Sequence, residues 1–156
     1  MKKIVLNACG VKSLGGLKLF LESFDFFSKS DSKIFVLYSE VEFYKDLNNQ
    51  FYENPRVKFY KTTNKRYLHP FLNYFLPKKI LEEINNSDAI VHFGNFGFKT
   101  LKKSFVLIQN ILPLVKKGIR NSILKLLINR SMNLSNFILI QLDHLKEDID
   151  LSLIHI

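Results

Sequence analysis

Short apolar runs alternate with amphipathic stretches along most of the chain. The runs are rich in β-branched and aromatic residues, which favour strands. In order they are Ile4–Leu6, Lys33–Tyr38, Val57–Tyr60, Asp88–Phe93, Phe105–Asn110 and Phe137–Gln141. Strands that are apolar throughout are typical of parallel sheets covered on both faces. The pattern therefore predicts a mostly parallel sheet of about six strands.

Helical periodicity marks segments between these strands. Apolar residues recur at helical spacing from Leu17 to Phe27, with charged residues between them. A second strong helix is predicted over Ile119–Met132, with Ile123 and Leu127 on one apolar face. The alternation predicts a doubly wound α/β fold, Rossmann-like, with helices on both faces of the sheet. We predict a single domain over residues 1–150.

The end of the chain departs from this pattern. A helix beginning near Leu145 would bury little of its apolar face before the chain ends at Ile156. Residues 151–156 also resemble a translated adapter sequence. We therefore expect these six residues to be a non-native tail, and the chain to be a fragment.

The charge balance is the first hint of a partner. Lys and Arg number 23 against 14 acidic residues, a net charge of +9. Such a surplus attracts nucleic acid, anionic lipid or phosphorylated small molecules, but it also arises from a biased genome. Cys9 is the sole cysteine, which is typical of a reducing cytoplasm. No apolar run approaches the roughly 20 residues that cross a bilayer, so we expect a cytoplasmic protein, soluble or peripheral to the membrane.

The loop after the first strand is the first candidate site. Glycines from Gly10 to Gly16 lie between a strand and a helix, where backbone N–H groups can bind a phosphate. The segment is neither the Gly-x-Gly-x-x-Gly dinucleotide motif nor a P-loop, which disfavours an NAD-dependent enzyme. A plain tight turn is the alternative interpretation.

Polar residues at the ends of two later strands are the other candidates. His92 is followed by Gly94 and Asn95, and a histidine there can act as a general base or bind a sugar hydroxyl. Gln109 and Asn110 form an amide pair that can bind hydroxyls or a phosphate. The alternatives are a hydrogen-bonded core histidine and an Asn that caps a turn. No metal-ligand spacing is present, so no metal site is predicted.

In order and spacing, these segments resemble the acceptor-side domain of glycosyltransferase family 4, whose members have two Rossmann-like domains in the GT-B fold. The resemblance rests on the loop at Gly15 and Gly16, on the run Asp88–Asn95, and on the run Val106–Pro113. A last similarity is Phe137–Gln141 leading into a helix. Together these segments span roughly residues 4–149.

The resemblance implies an enzyme that moves a sugar, with retention, from a nucleotide-sugar donor to a cell-envelope polysaccharide or lipid-linked acceptor. It implies that Gly15 and Gly16 lie by the donor diphosphate. It also implies that His92, Asn95 and Asn110 contact the acceptor or the transferred sugar, with His92 as the catalytic candidate. No cofactor besides the donor is implied. The donor-binding C-terminal domain is absent, so we expect the fragment itself to be inactive.

A basic and aromatic segment suggests where such a protein meets a membrane. Lys65–Phe71, with Tyr74, Phe75, Lys78 and Lys79 after it, is the candidate patch for an anionic inner leaflet. The alternative is a solvated loop with some buried aromatics. The remaining alternative for the whole chain is a standalone α/β domain that binds a phosphorylated ligand or nucleic acid. We expect no nucleic acid, because the sequence carries no RNA-binding motif.

Overall fold

A computed structural model describes residues 1–11, 14–39, 42–51, 54–63, 65–109 and 112–140. Asn110 and the predicted tail, residues 151–156, lie outside these ranges. So does the helix predicted to begin near Leu145.

One parallel sheet organises the described residues. Its strands are β1 (Lys2–Asn7), β2 (Ser32–Tyr38), β3 (Val57–Lys61), β4 (Ala89–His92), β5 (Lys103–Ile108) and β6 (Phe137–Ile140). Their order across the sheet is β3-β2-β1-β4-β5-β6, and every neighbouring pair is parallel. The predicted parallel sheet of about six strands is confirmed.

Helices cover both faces of the sheet. They are α1 (Leu14–Lys29), α2 (Glu42–Phe51), α3 (Lys78–Asn85), α4 (Leu112–Val115) and α5 (Ile119–Leu134), with a 3-10 segment at Arg66–Tyr74. Helices α1 and α2 pack on one face, while the 3-10 segment, α3 and α5 pack on the other. Among the helices described, none combines the length and apolar character needed to cross a membrane.

Phenylalanine fills the core under α1 and α2. Phe20 is fully buried, and its ring meets those of Phe24, Tyr44 and Phe93 at centroid distances of 6.0, 5.4 and 5.6 Å. Two of these contacts are edge-to-face, the geometry that aromatic rings favour. This cluster joins α1 and α2 to the loop after β4, so it fixes the height of α1 above the strand ends.

Two helices differ from the sequence prediction in ways that bear on function. Helix α1 begins at Leu14, so Gly15 and Gly16 form its first turn and do not belong to the preceding loop. In α5, Leu127 is buried, but Ile123 is 56% exposed, so the two side chains do not share the core-facing side. A periodicity argument sees the apolar positions of a helix but not which of them meet the sheet.

The Phe20 cluster gives a direct test of the core. We expect Phe20→Ala to lower the free energy of unfolding by about 3–5 kcal/mol, because it leaves a cavity at the centre of three ring contacts. Phe26→Ala, on the same helix but 68% exposed, is the matched control and should change it by no more than about 1.5 kcal/mol, the contribution of its ring contact with Phe27. Urea denaturation of both variants measures the difference, and equal losses would contradict the packing.

Candidate functional site

The strand order creates a crevice between β1 and β4. The chain leaves β1 toward β2 on one side and leaves β4 toward β5 on the other, so the loops after these two strands diverge. In open α/β sheets, ligands bind in the crevice that such a divergence leaves at the carboxyl ends of the strands. The candidate glycine loop and His92–Asn95 both lie at this place.

Two glycines let the diverging loops touch. A Cβ added at Gly10 would lie 2.9 Å from the carbonyl oxygen of Gly94, and one at Gly94 would lie 2.7 Å from the carbonyl carbon and oxygen of Gly10. Gly94 also has a φ of +80°, a conformation that favours glycine. The backbones of the two loops therefore approach each other more closely than any side chain would allow.

Beneath this contact, Asn7 and His92 form a buried polar pair. The Asn7 amide Nδ2 lies 2.8 Å from Nδ1 of His92, and Asn7 Oδ1 accepts the N–H of Cys9. Since the Asn7 amide nitrogen is a donor, Nδ1 is the acceptor and the imidazole carries its proton on Nε2. Nε2 is buried and has no hydrogen-bond partner among the described residues. The His92 ring also packs edge-on against Phe98, at 4.9 Å between centroids.

Burial controls the charge of His92. The side chain is fully buried, and loss of solvation lowers its pKa from 6.5 to about 3. His92 is therefore neutral near pH 7. A general base needs a pKa near the working pH and contact with the substrate, and a fully buried imidazole with this pKa has neither. The geometry suits a residue that orients the loop after β4.

Asn95 joins the loop after β4 to the end of β5. Its side-chain Oδ1 accepts the N–H of Gln109 at 2.6 Å, and its own N–H bonds to the carbonyl of Leu107. Asn95 has a φ of 72°, which Asn tolerates better than most residues. This predicted ligand residue is 1% exposed, and its side-chain oxygen holds Gln109 in place.

Gln109 extends the site to the first turn of α1. A Cβ added at Gly16 would lie 2.6 Å from Oε1 of Gln109, so the amide packs directly against this glycine. The Nε2 atom of Gln109 is buried without a hydrogen-bond partner in the described part of the chain. Gly15 precedes Gly16 in the same turn, where the backbone N–H groups of a helix are free and favour an anion. Gly16, Asn95 and Gln109 are thus brought together, whereas Asn110 lies outside the described residues.

Cys9 lies on the other side of the crevice, toward β2 and β3. Its thiol is 2.9 Å from the hydroxyl of Thr62, which itself donates to the carbonyl of Tyr38, so the thiol is the donor. Burial raises the pKa of Cys9 to about 12, so the thiol stays protonated and unreactive. Burial also raises the pKa of the neighbouring Tyr44 hydroxyl. The Cys9 thiol and the Tyr44 hydroxyl are therefore both uncharged near pH 7.

Sequence reasoning missed Asn7 as a site residue, and it predicted the loops that contain Gly10 and Gln109 but not the contacts that these two residues make. Asn7 is the last residue of β1, and a polar side chain at the end of an apolar strand is the signal that identifies it. Gly10 belongs to the predicted glycine loop, but its contact with Gly94 depends on the pairing of β1 with β4. Gln109 belongs to the predicted amide pair, but its position against Gly16 of α1 depends on tertiary packing.

The parallel sheet, its strand order and the helices on both faces define a doubly wound, Rossmann-like α/β domain. Comparisons of the chain with protein-family models, with curated proteins and with solved structures found no match. The resemblance to glycosyltransferase family 4 therefore stays a prediction. In the ranges that the structure describes, no group of three or more His, Cys, Asp or Glu side chains could hold a metal ion.

The contact of the two glycines can be tested by adding a methyl group. We expect Gly94→Ala to lower the free energy of unfolding by about 2–5 kcal/mol, from its positive φ and from the clash with Gly10. Gly118→Ala is the matched control: Gly118 has a φ of +125° but nothing within 4 Å of an added Cβ. It should lose only the backbone term, about 1–3 kcal/mol. Urea denaturation compares the two, and a smaller loss at Gly94 would contradict the close approach.

The buried imidazole makes stability depend on pH. The pKa of His92 is 6.5 in the unfolded chain and about 3 in the folded chain. Between these pH values the unfolded chain therefore binds a proton at His92 and the folded chain does not. Above pH 6.5 neither state binds this proton, and the free energy of unfolding is at its highest with respect to His92. As the pH falls below 6.5, the free energy of unfolding decreases by about 1.4 kcal/mol per pH unit. We expect His92→Gln to flatten the dependence of the unfolding free energy between pH 6 and pH 4, a range set by this shift.

Carboxylates do not obscure this comparison. The pKa of Glu83 is lowered, chiefly by its hydrogen bond from Lys3, and this also removes stability in acid. That contribution is the same with and without His92, so it cancels in the difference between wild type and variant. Lys45→Gln, on the exposed side of α2, should leave the slope as in wild type. An NMR titration of the folded protein with the His92 ring titrating near pH 6.5 would contradict its burial.

Proposed function

We propose that this chain is the acceptor-side half of a nucleotide-sugar glycosyltransferase, and that its site lies at the carboxyl ends of β1, β4 and β5. The donor diphosphate is bound at the first turn of α1, by Gly15 and Gly16. A glycan or lipid-linked acceptor is bound in the crevice between β1 and β4. A second, nucleotide-binding domain completes the enzyme.

The observation that carries the proposal is the buried amide of Gln109 against Gly16. Its Nε2 donor has no partner among the described residues, and an unsatisfied buried donor costs about 1–3 kcal/mol. The amide packs against Gly16 in the first turn of α1, which has no acidic residue and whose N–H groups make no bonds within the helix. A diphosphate oxygen bound there would satisfy the amide and the helix end together.

The side chains described beneath the crevice carry no charge, which supports a neutral acceptor such as a sugar. Asn7, His92 and Cys9 lie buried beneath the crevice and are uncharged near pH 7, so they do not attract a counterion into it. In this proposal His92 acts through its neutral ring, by orienting the loop that carries Gly94 and Asn95. Proton transfer to the acceptor is left to a group outside this pair.

A second candidate function uses the same helix end without transfer. The free N–H groups of α1 and the Gln109 amide would equally bind the phosphate of a small ligand in a standalone domain. The two functions differ in turnover and in the need for a second domain. An assay that separates binding from transfer decides between them.

The test assays the product of the complete gene with a panel of UDP- and GDP-sugars, for hydrolysis and for transfer to lipid-linked acceptors. We expect activity with a donor of this class, and we expect Gln109→Ala to weaken donor binding by roughly tenfold because one donor to a charged oxygen is lost. Gly16→Trp, which would fill the space occupied by the Gln109 amide, should abolish turnover. Lys99→Ala, an exposed position beyond β4, is the control and should match wild type.

Each outcome favours one of the two functions. Turnover that is lost in Gly16→Trp and retained in Lys99→Ala supports the glycosyltransferase. Binding of a nucleotide or phosphate without turnover, weakened by Gln109→Ala, supports the standalone phosphate-binding domain. Donor binding that is unchanged in Gln109→Ala contradicts both, because both place the phosphate at this amide.

A further inference from the structure

Helix α5 carries apolar residues on two opposite sides. On the inner side, Leu127, Ile128 and Met132 are buried against β5 and β6. On the outer side, Ile119, Ile123 and Leu126 are 85%, 56% and 68% exposed. At about 3.6 residues per turn, these three outer positions share one stripe along the helix. A helix at the surface of a soluble domain normally has a polar outer side, so the outer stripe requires another explanation.

The outer stripe borders a groove rather than a flat surface. The groove has a volume of about 580 Å³ and is lined by Tyr67 from the 3-10 segment and by the α5 residues Ile119, Arg120, Ile123, Leu124 and Leu127. Tyr67 is itself 58% exposed. Of the basic and aromatic patch predicted from sequence, Tyr67 therefore lies beside α5, while His69 and Pro70 are buried.

Positive charge surrounds the stripe. The segment from Leu112 to Leu134 contains no Asp or Glu, and its cations are Lys116, Lys117, Arg120, Lys125 and Arg130. The first four are exposed, and the ion pairs of the described residues do not include them. Arg130 instead lies 4.8 Å above the ring of Phe71, which links α5 to the 3-10 segment. An apolar stripe with cations on its flanks is the arrangement that binds an anionic bilayer surface.

We propose that the outer α5 face, formed by Ile119, Ile123, Leu126, Tyr67, Arg120 and Lys125, docks the protein on a membrane that contains anionic lipid. The three aliphatic side chains enter the boundary between headgroups and acyl chains. Arg120 and Lys125 remain at the level of the lipid phosphates, where each cation contributes to attraction. Tyr67 occupies the headgroup level, which aromatic rings with a polar end prefer.

Charge disfavours the two other occupants of this face. A two-fold dimer would bring two copies of this patch together, and so bring the Arg120 and Lys125 cations of one copy close to those of the other. Like charges brought together in this way are costly. Nucleic acid would pair with the cations but would leave the aliphatic stripe in water, since backbone contacts are made by charged and polar groups. An anionic lipid surface satisfies both features.

The proposal goes beyond the sugar-transfer function and does not depend on it. Vesicle binding needs neither a donor nor the crevice between β1 and β4. A protein that transfers no sugar can still bind vesicles, and an active enzyme can fail to bind them. The two proposals therefore fail separately.

The test is sedimentation of the whole chain with lipid vesicles. We expect binding to vesicles of phosphatidylcholine mixed with phosphatidylglycerol, weak binding to phosphatidylcholine alone, and loss of binding at high salt. The double variant Ile119→Ser with Ile123→Ser should reduce partitioning by at least roughly tenfold. The double variant Arg120→Glu with Lys125→Glu should reduce it by roughly tenfold or more on the mixed vesicles.

Matched controls exist for both variants. Leu101 is 82% exposed, nearly as much as Ile119, so Leu101→Ser removes an equally exposed aliphatic residue elsewhere. Lys45→Glu with Lys99→Glu makes the same change of net charge at exposed positions outside α5. Both controls should retain most of the binding. Thermal melts followed by circular dichroism should be unchanged in all four variants, because every altered side chain is exposed.

Fluorescence gives a second measurement that does not depend on affinity. The chain contains no tryptophan, so Ile123→Trp introduces a single emitter on the outer α5 face. Its emission should shift to the blue with the mixed vesicles, whereas that of Leu101→Trp should not. No sedimentation with the mixed vesicles would overturn the proposal, as would equal losses in the variants and their controls. A concentration-dependent dimer dissolved by Ile123→Ser without vesicle binding would assign the face to a second copy instead.

Discussion

The backbone contact between Gly10 and Gly94 is the constraint on which the rest of the site depends. The two residues follow neighbouring parallel strands whose chains then run in opposite directions, so their loops would normally move apart. The missing side chains let the loops meet, with a Cβ-to-backbone distance of 2.7 Å that only glycine can accept. At the carboxyl ends of the strands, the first turn of α1 and the amide of Gln109 are positioned beside this contact.

A second layer of interactions holds the contact from below. The hydrogen bond between Asn7 and His92 joins residues 85 positions apart at the ends of β1 and β4. It spans the same two strands as the glycines and lies on the side of Phe98. This buried pair adds a side-chain bond to the register in which Asn7 of β1 lies beside His92 of β4. Both side chains are uncharged near pH 7.

The fold could be predicted largely from local pattern, because buried parallel strands are apolar throughout and the helices between them are amphipathic. The start of α1 could not, since glycine at a helix terminus gives the same local signal as glycine in a loop. The outward position of Ile123 could not be predicted either, because α5 has apolar residues on two sides and their periodicity does not show which side packs on the sheet. For the site, Gly16 was predicted from the glycine loop after the first strand and Asn95 from the end of the fourth, and in the structure both lie beside Gln109. The pairs Gly10–Gly94 and Asn7–His92 depend on strand order, which a sequence of alternating elements leaves open.

The buried, protonated thiol of Cys9 determines how the protein reacts with thiol reagents. It is the sole cysteine of the chain, and it lies fully buried at the end of β1, bonded to Thr62 after β3. A thiol reagent can reach it only when the strand ends separate, and reaction requires the thiolate that burial suppresses. The rate of alkylation at Cys9 thus reports the fraction of molecules in which the crevice is open.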